Sequence, residues 1–376
     1  MKIAVNTRLL LKDRLDGIGW FSFETLRRIT VNHPEHDFYF LFDRPYDREF
    51  IFSNNIIPVI LRPPARHPVL WFLWIELSVN RFLKRNKIDL FISPDGFIPL
   101  LSKIPAISII HDINFFHRPG DLPLLSRLYY NFFFPRFASH AVRVGTVSEY
   151  SAEDISRSYN TDRDKIDIYH NGVNSTFRPL NPEEIQNVRK RTSKGHPYFV
   201  YIGTLHPRKN VANLLRAFDK FKQNSAMDMQ MVIVGDRLFR TGDIDKVFRR
   251  MEFRKDVIFT GRLNAENLMQ VLAASLALIF VPYFEGFGIP VIEAMKCGVP
   301  VVVSRVTSLP EIGGEAVLYS DPDDIQDIAE NMKRIAENEG VKQKLIQDGF
   351  ERAGRYSWDK TAEKLWHTVE KVIYES

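Results

Sequence analysis

The sequence predicts an α/β protein built on two doubly wound parallel sheets. Three observations carry this expectation. The chain has 376 residues, too many for one ordinary core of about 100–200 residues. Short β-branched or aromatic runs alternate with helix-like stretches almost from end to end, the pattern of parallel sheets covered by helices on both faces. A turn-rich stretch near the middle, Asn171-Gly172-Val173-Asn174 followed by Arg178-Pro179-Leu180-Asn181-Pro182, breaks both periodicities and reads as a hinge.

The first half offers strands over residues 2–7, 37–43, 56–62, 89–93, 106–110 and 142–147. The second offers 198–202, 230–234, 257–260, 276–281, 299–304 and 316–319. Domains of 1–170 and 171–356 follow. The last segment, 357–376, repeats apolar residues at helical spacing (Trp358, Ala362, Leu365, Trp366, Val369 and Val372), a stripe that must be buried against something.

Composition bounds the function. With 45% hydrophobic and 26% charged residues and no low-complexity run, the chain is globular. A lone cysteine, Cys297, excludes an internal disulfide scaffold and suits a reducing compartment. No segment approaches the roughly 18–20 apolar residues of a membrane-spanning helix; residues 69–79 come nearest and contain Glu76. The N-terminus reads as a first strand rather than an export signal, so cytoplasmic residence is expected and the sequon at Asn174 is a chance match. A net charge of +5 and a pI near 9.1 suggest an anionic partner without choosing between nucleic acid, membrane surface and phosphorylated substrate.

In open α/β sheets ligands sit at the carboxyl ends of strands, where strand order reverses, so the chemistry is sought just after each strand. Residues Phe284-Glu285-Gly286-Phe287-Gly288-Ile289-Pro290 feed a short helix that continues through Glu293 to Gly298. Its glycines admit close approach of a ligand, and a helix N-terminus binds phosphate. Glu285 and Glu293 can accept hydrogen bonds from sugar or ribose hydroxyls; the structural alternative is that Glu293 complements the helix dipole and Glu285 faces solvent. Gly203-Thr204-Leu205-His206-Pro207-Arg208-Lys209-Asn210 lies between a strand and a helix. Arg208 and Lys209 at a helix start oppose the macrodipole unless an anion is present. A diphosphate resolves that conflict, and solvated surface charges are the alternative.

His111-Asp112 follows the strand 106–110, where the imidazole can bond a substrate hydroxyl and Asp112 can fix its orientation; a structural histidine is the competing reading. Gly17-Ile18-Gly19 is part of a nucleotide-binding fingerprint without its third glycine. Gly235, just past 230–234, and Arg262 with Leu263, just past 257–260, complete the expected donor-binding set. Three Asp-x-Asp stretches, at Asp162, Asp243 and Asp321, read as caps and turns rather than metal ligands, so no metal is expected.

Taken in order, the Gly-Ile-Gly loop, His111-Asp112, Thr146-Val147-Ser148-Glu149, His170-Asn171-Gly172-Val173-Asn174, the 203–210 loop and the pair Glu285 and Glu293 resemble family 4 glycosyltransferases over nearly the whole chain. The resemblance implies the GT-B fold, two Rossmann-like domains facing across a cleft, with a nucleotide sugar held mainly by the second and the final helix crossing back to the first. It implies that Glu293 binds the ribose, Glu285 the transferred sugar, Arg208 and Lys209 the diphosphate, Gly286, Phe287 and Gly288 supply amides, and His111 lies near the reacting bond. Many members carry Arg where this chain has Thr204, which shifts the diphosphate clamp onto Arg208 and Lys209. It further implies a retaining, metal-independent hexosyltransferase with no cofactor beyond its nucleotide-sugar co-substrate.

The expected donor is GDP-mannose and the expected acceptor a glycan or lipid-linked glycan in surface polysaccharide or glycolipid synthesis. A UDP-sugar transferase and a nucleotide-sugar epimerase remain as alternatives. A basic nucleic-acid-binding protein is a third, and the clustered cationic face it needs is missing from the sequence. Basic and aromatic residues mix between Arg62 and Lys87 and between Phe115 and Arg136. They suit either an anionic membrane surface at the inner face of the cell membrane or a buried helix face with solvated charges.

Overall fold

A parallel strand must be apolar on both faces, and the strands here are: Ile3, Ala4 and Val5 are fully buried, as are Val301, Val302 and Val303. The computed structural model describes residues 1–237 and 242–374. It divides into two units, one from Met1 to Asn171 joined by the terminal segment from Ser357, the other from Gly172 to Tyr356.

In the first unit β1 (Lys2–Asn6), β2 (Asp37–Phe42), β3 (Ile56–Ile60), β4 (Leu90–Ser93), β5 (Ala106–Ile109), β6 (Arg143–Thr146) and β7 (Ile166–Ile168) form one sheet in the order β3-β2-β1-β4-β5-β6-β7. Every neighbouring pair is parallel. β7 is an addition to the strands the sequence predicted. Its three residues, Ile-Asp-Ile, are too few to show a period, and Asp167 is held by Arg143 of β6 at 2.6 and 2.8 Å. The chain leaves β1 to build β2 and β3 on one side, then places β4 on the other, so the order reverses between β1 and β4.

The stripe of the last helix, Trp358–Tyr374, is buried within this unit against the helix Gly17–Asn32. Trp366 stacks on His33 with ring centroids 3.7 Å apart, and Arg28 joins Glu24 of its own helix to Asp359 of the other. Tyr169, beyond β7, donates to Thr368 at 2.8 Å. Glu375 and Ser376, the end of the expected segment, lie outside the described residues. Glu76, the charge inside the apolar run 69–79, is buried and accepts the amides of Leu100 and Leu101 at 2.7 and 3.1 Å. Among the described residues no helix is long and apolar enough to cross a membrane.

The second unit contains β8 (Tyr198–Ile202), β9 (Gln230–Val234), β10 (Val257–Gly261), β11 (Ala277–Phe280), β12 (Val301–Ser304) and β13 (Leu318–Ser320), in the order β10-β9-β8-β11-β12-β13. All pairs are again parallel. The strand expected over 316–319 forms over Leu318–Ser320 instead, because Gly313 and Gly314 end a short helix just before it and Ala316 closes that turn. Here the order reverses between β8 and β11. Both sheets thus have a switch point, the place where open α/β sheets take ligands.

Candidate active site

At the end of β8 the chain crosses the end of β9 at close range. A Cβ on Gly235 would stand 2.0 Å from the Gly203 carbonyl oxygen, and Gly235 has φ +145°, so only glycine fits. The Gly203 amide bonds Val234 and the Leu205 amide bonds Asp236. The chain then makes a 3₁₀ turn, Pro207–Lys209, capped by the His206 ring. Asn210 follows in the left-handed region at φ +57° and donates to the carbonyls of Val281 and Pro322 at 3.0 and 2.7 Å. These bonds tie the end of β8 to the end of β11.

The result is an ion cluster at the switch point. Arg208 Nη1 lies 3.2 Å from Glu285 Oε2 and 2.8 Å from the Phe284 carbonyl oxygen; Lys209 Nζ bonds the same Glu285 oxygen. Lys209 is only 9% exposed, and its ammonium stands 5.1 Å from the centre of the Phe280 ring. The sequence placed both cations at the start of the helix, uncompensated until a diphosphate arrives. In fact they stand on the turn before the helix Val211–Gln223, and Glu285 compensates part of their charge.

Glu285 is held from behind. Its amide donates to Thr307 Oγ1 at 3.1 Å, and Ser308 Oγ donates to its carbonyl oxygen at 2.8 Å. Thr307 has φ +54°, a costly conformation for a β-branched side chain, and it sits where its hydroxyl meets this loop. Gly286, Phe287 and Gly288 are buried, and the helix Ile289–Lys296 begins directly after them, with Gly288 at φ +98° and Pro290 in the first turn. The positive end of this helix therefore belongs to the same switch point as the two cations.

Glu293, on that helix, is half-buried and its carboxyl has no hydrogen-bond partner among the described residues. Burial pushes it up to about 8, so it carries a proton at pH 7. Because the folded state binds this proton more tightly than the unfolded chain, Glu293 lowers stability progressively as pH rises from about 5 to 8. Replacing Glu293 by glutamine is expected to leave thermal stability near wild type at pH 5 and to raise it at pH 8.5. The gain is a few kcal/mol at most, since one unit corresponds to about 1.4 kcal/mol. Equal gains at the two pH values would refute an ionisable buried Glu293.

Thr204 follows β8 in the same loop, its carbonyl oxygen accepting from the Tyr201 hydroxyl at 3.2 Å. Arg262 and Leu263 follow β10, the edge strand, two positions along the sheet from β8. The Asp-x-Asp carboxylates are engaged locally. Asp162 accepts the Asp164 amide, Asp321 accepts the Asp323 amide, and Asp245 pairs with Arg237.

His111, Asp112, Gly17 and Gly19 lie in the first unit. His111 Nε2 lies 2.9 Å from the Pro94 carbonyl oxygen. A carbonyl can only accept, so Nε2 carries the hydrogen, and in the neutral ring Nδ1 offers a lone pair to a hydroxyl. Burial lowers the His111 pKa despite Asp112, Asp16 and Asp95 nearby, which keeps the ring neutral at pH 7. The expectation that Asp112 orients this ring is corrected: Asp112 accepts the Asn114 amide and side chain, and Pro94 orients His111. The Gly19 amide is likewise engaged, capped by Asp16 at 2.9 Å.

Sequence reasoning passed over Thr307 and Ser308, and it named Asn210 within its loop without giving it a role. The available signal was their place, directly after strands or at the end of a loop already singled out. It also passed over Arg8, which pairs with Asp95 at 2.5 Å across the first switch point.

Two parallel-sheet α/β units of this kind are the architecture of the GT-B fold. A chain from Thermosynechococcus elongatus described as sucrose-phosphate synthase superposes with a TM-score of 0.80 at 17% identity, over 100% of this chain and 99% of that one. The family model for glycosyl transferases group 1 matches residues 183–352, and that for glycosyltransferase family 4 matches residues 26–177. O-antigen chain mannosyltransferase B of Escherichia coli is 30% identical over 96% of this chain and 97% of its own. O-antigen chain mannosyltransferase RfbU of Salmonella typhimurium is 27% identical over 75% and 74%. The chain belongs to the family 4, group 1 glycosyltransferases, and it is an enzyme of the hexosyltransferase class.

Proposed function

We propose that this enzyme moves mannose from GDP-mannose to a glycan or lipid-linked glycan during surface polysaccharide synthesis. The observation that carries the reading is the meeting of Arg208, Lys209 and Glu285 at the second switch point, beside a helix N-terminus. Likeness to O-antigen mannosyltransferases supports the choice of sugar. In this reading the diphosphate displaces the Glu285 carboxylate from Lys209 and Arg208, and the carboxylate turns to hydroxyls of the donor sugar. Glu293 takes the ribose hydroxyls.

The bond from the sugar C1 to the β-phosphate oxygen breaks, and a bond from C1 to the acceptor oxygen forms on the same face, with retention. The acceptor proton passes to the departing phosphate. The cations gain most interaction as charge grows on that phosphate, which is where they lower the barrier. His111 Nδ1 accepts from a hydroxyl near the reacting bond, and the reaction as proposed calls on no metal.

The test is donor selection. GDP-mannose is expected to give nucleotide release that rises when lipid-linked glycan is added, with only slow hydrolysis in its absence. UDP-sugars outpacing it would move the reading to another donor, and an epimerised nucleotide sugar from donor alone would replace it.

We further propose contact with an anionic membrane. Val69, Leu124, Leu125, Leu128 and Phe132 are between 51% and 65% exposed. They lie on the helices Pro68–Phe72 and Leu124–His140, which touch through Phe72 and Phe133, with Arg66, Arg127 and Arg136 exposed among them. The double variant Leu124→Glu with Leu128→Glu should fold normally and lose most sedimentation with phosphatidylglycerol vesicles at low salt. Undiminished sedimentation would refute this contact.

A further inference from the structure

The direction of a side chain is set by the two peptide groups that flank its Cα, and at Glu285 both are held from outside its own loop. The peptide group joining Phe284 to Glu285 is pinned at two ends. Its carbonyl oxygen accepts from Arg208 Nη1 at 2.8 Å, and its N–H donates to Thr307 Oγ1 at 3.1 Å. In a trans peptide these two groups point in opposite directions, so Arg208 and Thr307 stand on opposite sides of it. The following peptide group is held by Ser308, whose Oγ donates to the Glu285 carbonyl oxygen at 2.8 Å.

The segment after β12 touches this loop at two further points. Ser304 Oγ donates to the Pro282 carbonyl oxygen at 2.6 Å, and a Cβ on Gly288 would stand 2.8 Å from Leu309 Cδ2. Ser304, Ser308 and Leu309 are fully buried. Residues 304–309 therefore form a template laid along 282–288, reaching from before the carboxylate to after it.

Thr307 is the strained member of that template, with φ +54°. Glycine reaches this region freely, whereas a β-branched residue does so at a cost. Strain of this kind persists where the surroundings hold it, and it gathers at functional sites. Ser308, the next residue, is the N-cap of the helix Leu309–Gly313. The left-handed turn at Thr307 thus lets the chain leave β12, offer one hydroxyl to the Glu285 amide and the next to its carbonyl oxygen, and enter the helix.

We propose that Thr307 is a positioning residue: its hydroxyl, presented by a left-handed backbone, sets the peptide plane of Glu285 and so aims the carboxylate at the donor sugar. This deepens the transferase reading and rests on it. When the diphosphate takes Arg208 and Lys209, the carboxylate turns by side-chain rotation alone, because the direction of its Cα–Cβ bond does not change.

The test is a double-mutant cycle on the full chain, read as GDP release from GDP-mannose at saturating donor, with GDP affinity and Tm measured on the same samples. Thr307→Gly keeps the backbone conformation and removes the hydroxyl; Thr307→Ser keeps the hydroxyl and removes the branch. Thr307→Gly is expected to lower turnover about tenfold or more, the scale on which small misplacements of a reacting group act, while GDP affinity stays within about threefold of wild type. Thr307→Ser should retain turnover within about threefold, whatever its Tm. In a Glu285→Ala background no carboxylate is left to aim, so Thr307→Gly should cost less than about twofold more. A merely structural role predicts that the loss follows Tm, moves GDP affinity with the loop, and repeats in full in the Glu285→Ala background. That repeated loss, or wild-type turnover by Thr307→Gly, would overturn the inference and leave the donor reading standing. Wild-type protein that releases no GDP from GDP-mannose would remove the donor reading and this inference together, so the two failures are distinguishable.

Discussion

Replacing Lys209 by alanine is expected to lower turnover at saturating donor by about 10²–10³-fold, the scale on which single preorganised groups at a developing charge act. Lys209 is buried to 9% exposure, so its charge is poorly screened by water, and Asn210 and the Pro207–Lys209 turn fix its origin beside β11. A charge placed in advance needs no reorganisation as the phosphate departs. Arg208 remains 3.2 Å from Glu285 in the variant, so the carboxylate is not left alone and the fold should survive. Turnover within threefold of wild type would remove Lys209 from the proposed clamp.

Replacing Glu285 by glutamine should separate binding from catalysis. In the free protein this carboxylate occupies both cations that the diphosphate needs. Glutamine removes the competing anion and keeps the shape, and two negative groups about 6 Å apart repel by about 3 kcal/mol at an effective dielectric of 20. Relief of that repulsion is worth up to about 10²-fold in affinity, so GDP is expected to bind the variant at least tenfold more tightly, as measured by calorimetry. Turnover should nevertheless fall by about 10²-fold or more, because the sugar loses its carboxylate partner. Weaker GDP binding to Glu285→Gln would contradict the displacement step.

The parts of the molecule that depend on short stretches were legible in the sequence. β8 and β11 are apolar runs whose ends carry Gly203 to Asn210 and Phe284 to Gly288, and each loop shows its glycines, prolines and charges locally. What could not be read was which ends meet. Arg208 and Glu285 are 77 residues apart, and their contact follows from strand order, which periodicity does not encode. The same holds for Arg8 and Asp95, 87 residues apart. Without that order the two cations seemed to wait for a diphosphate, whereas Glu285 already answers part of their charge. Thr307 was hidden for another reason: a β-branched residue gives no sign in sequence that it will sit at φ +54°. β7 was missed because three residues carry no period, and Asp112 was paired with His111 because adjacency in sequence stood in for geometry that the Pro94 carbonyl supplies.

The central claim is that a diphosphate is held at the second switch point by Arg208 and Lys209. The most direct measurement compares the affinities of GDP and GMP for wild-type protein and for the Arg208→Ala, Lys209→Ala double variant, by calorimetry at fixed salt. Wild-type protein is expected to prefer GDP by 10²-fold or more, about 3 kcal/mol, and the double variant to bind the two nucleotides within a few-fold of each other. A preference for GDP that survives the loss of both side chains would place the second phosphate elsewhere and contradict the account.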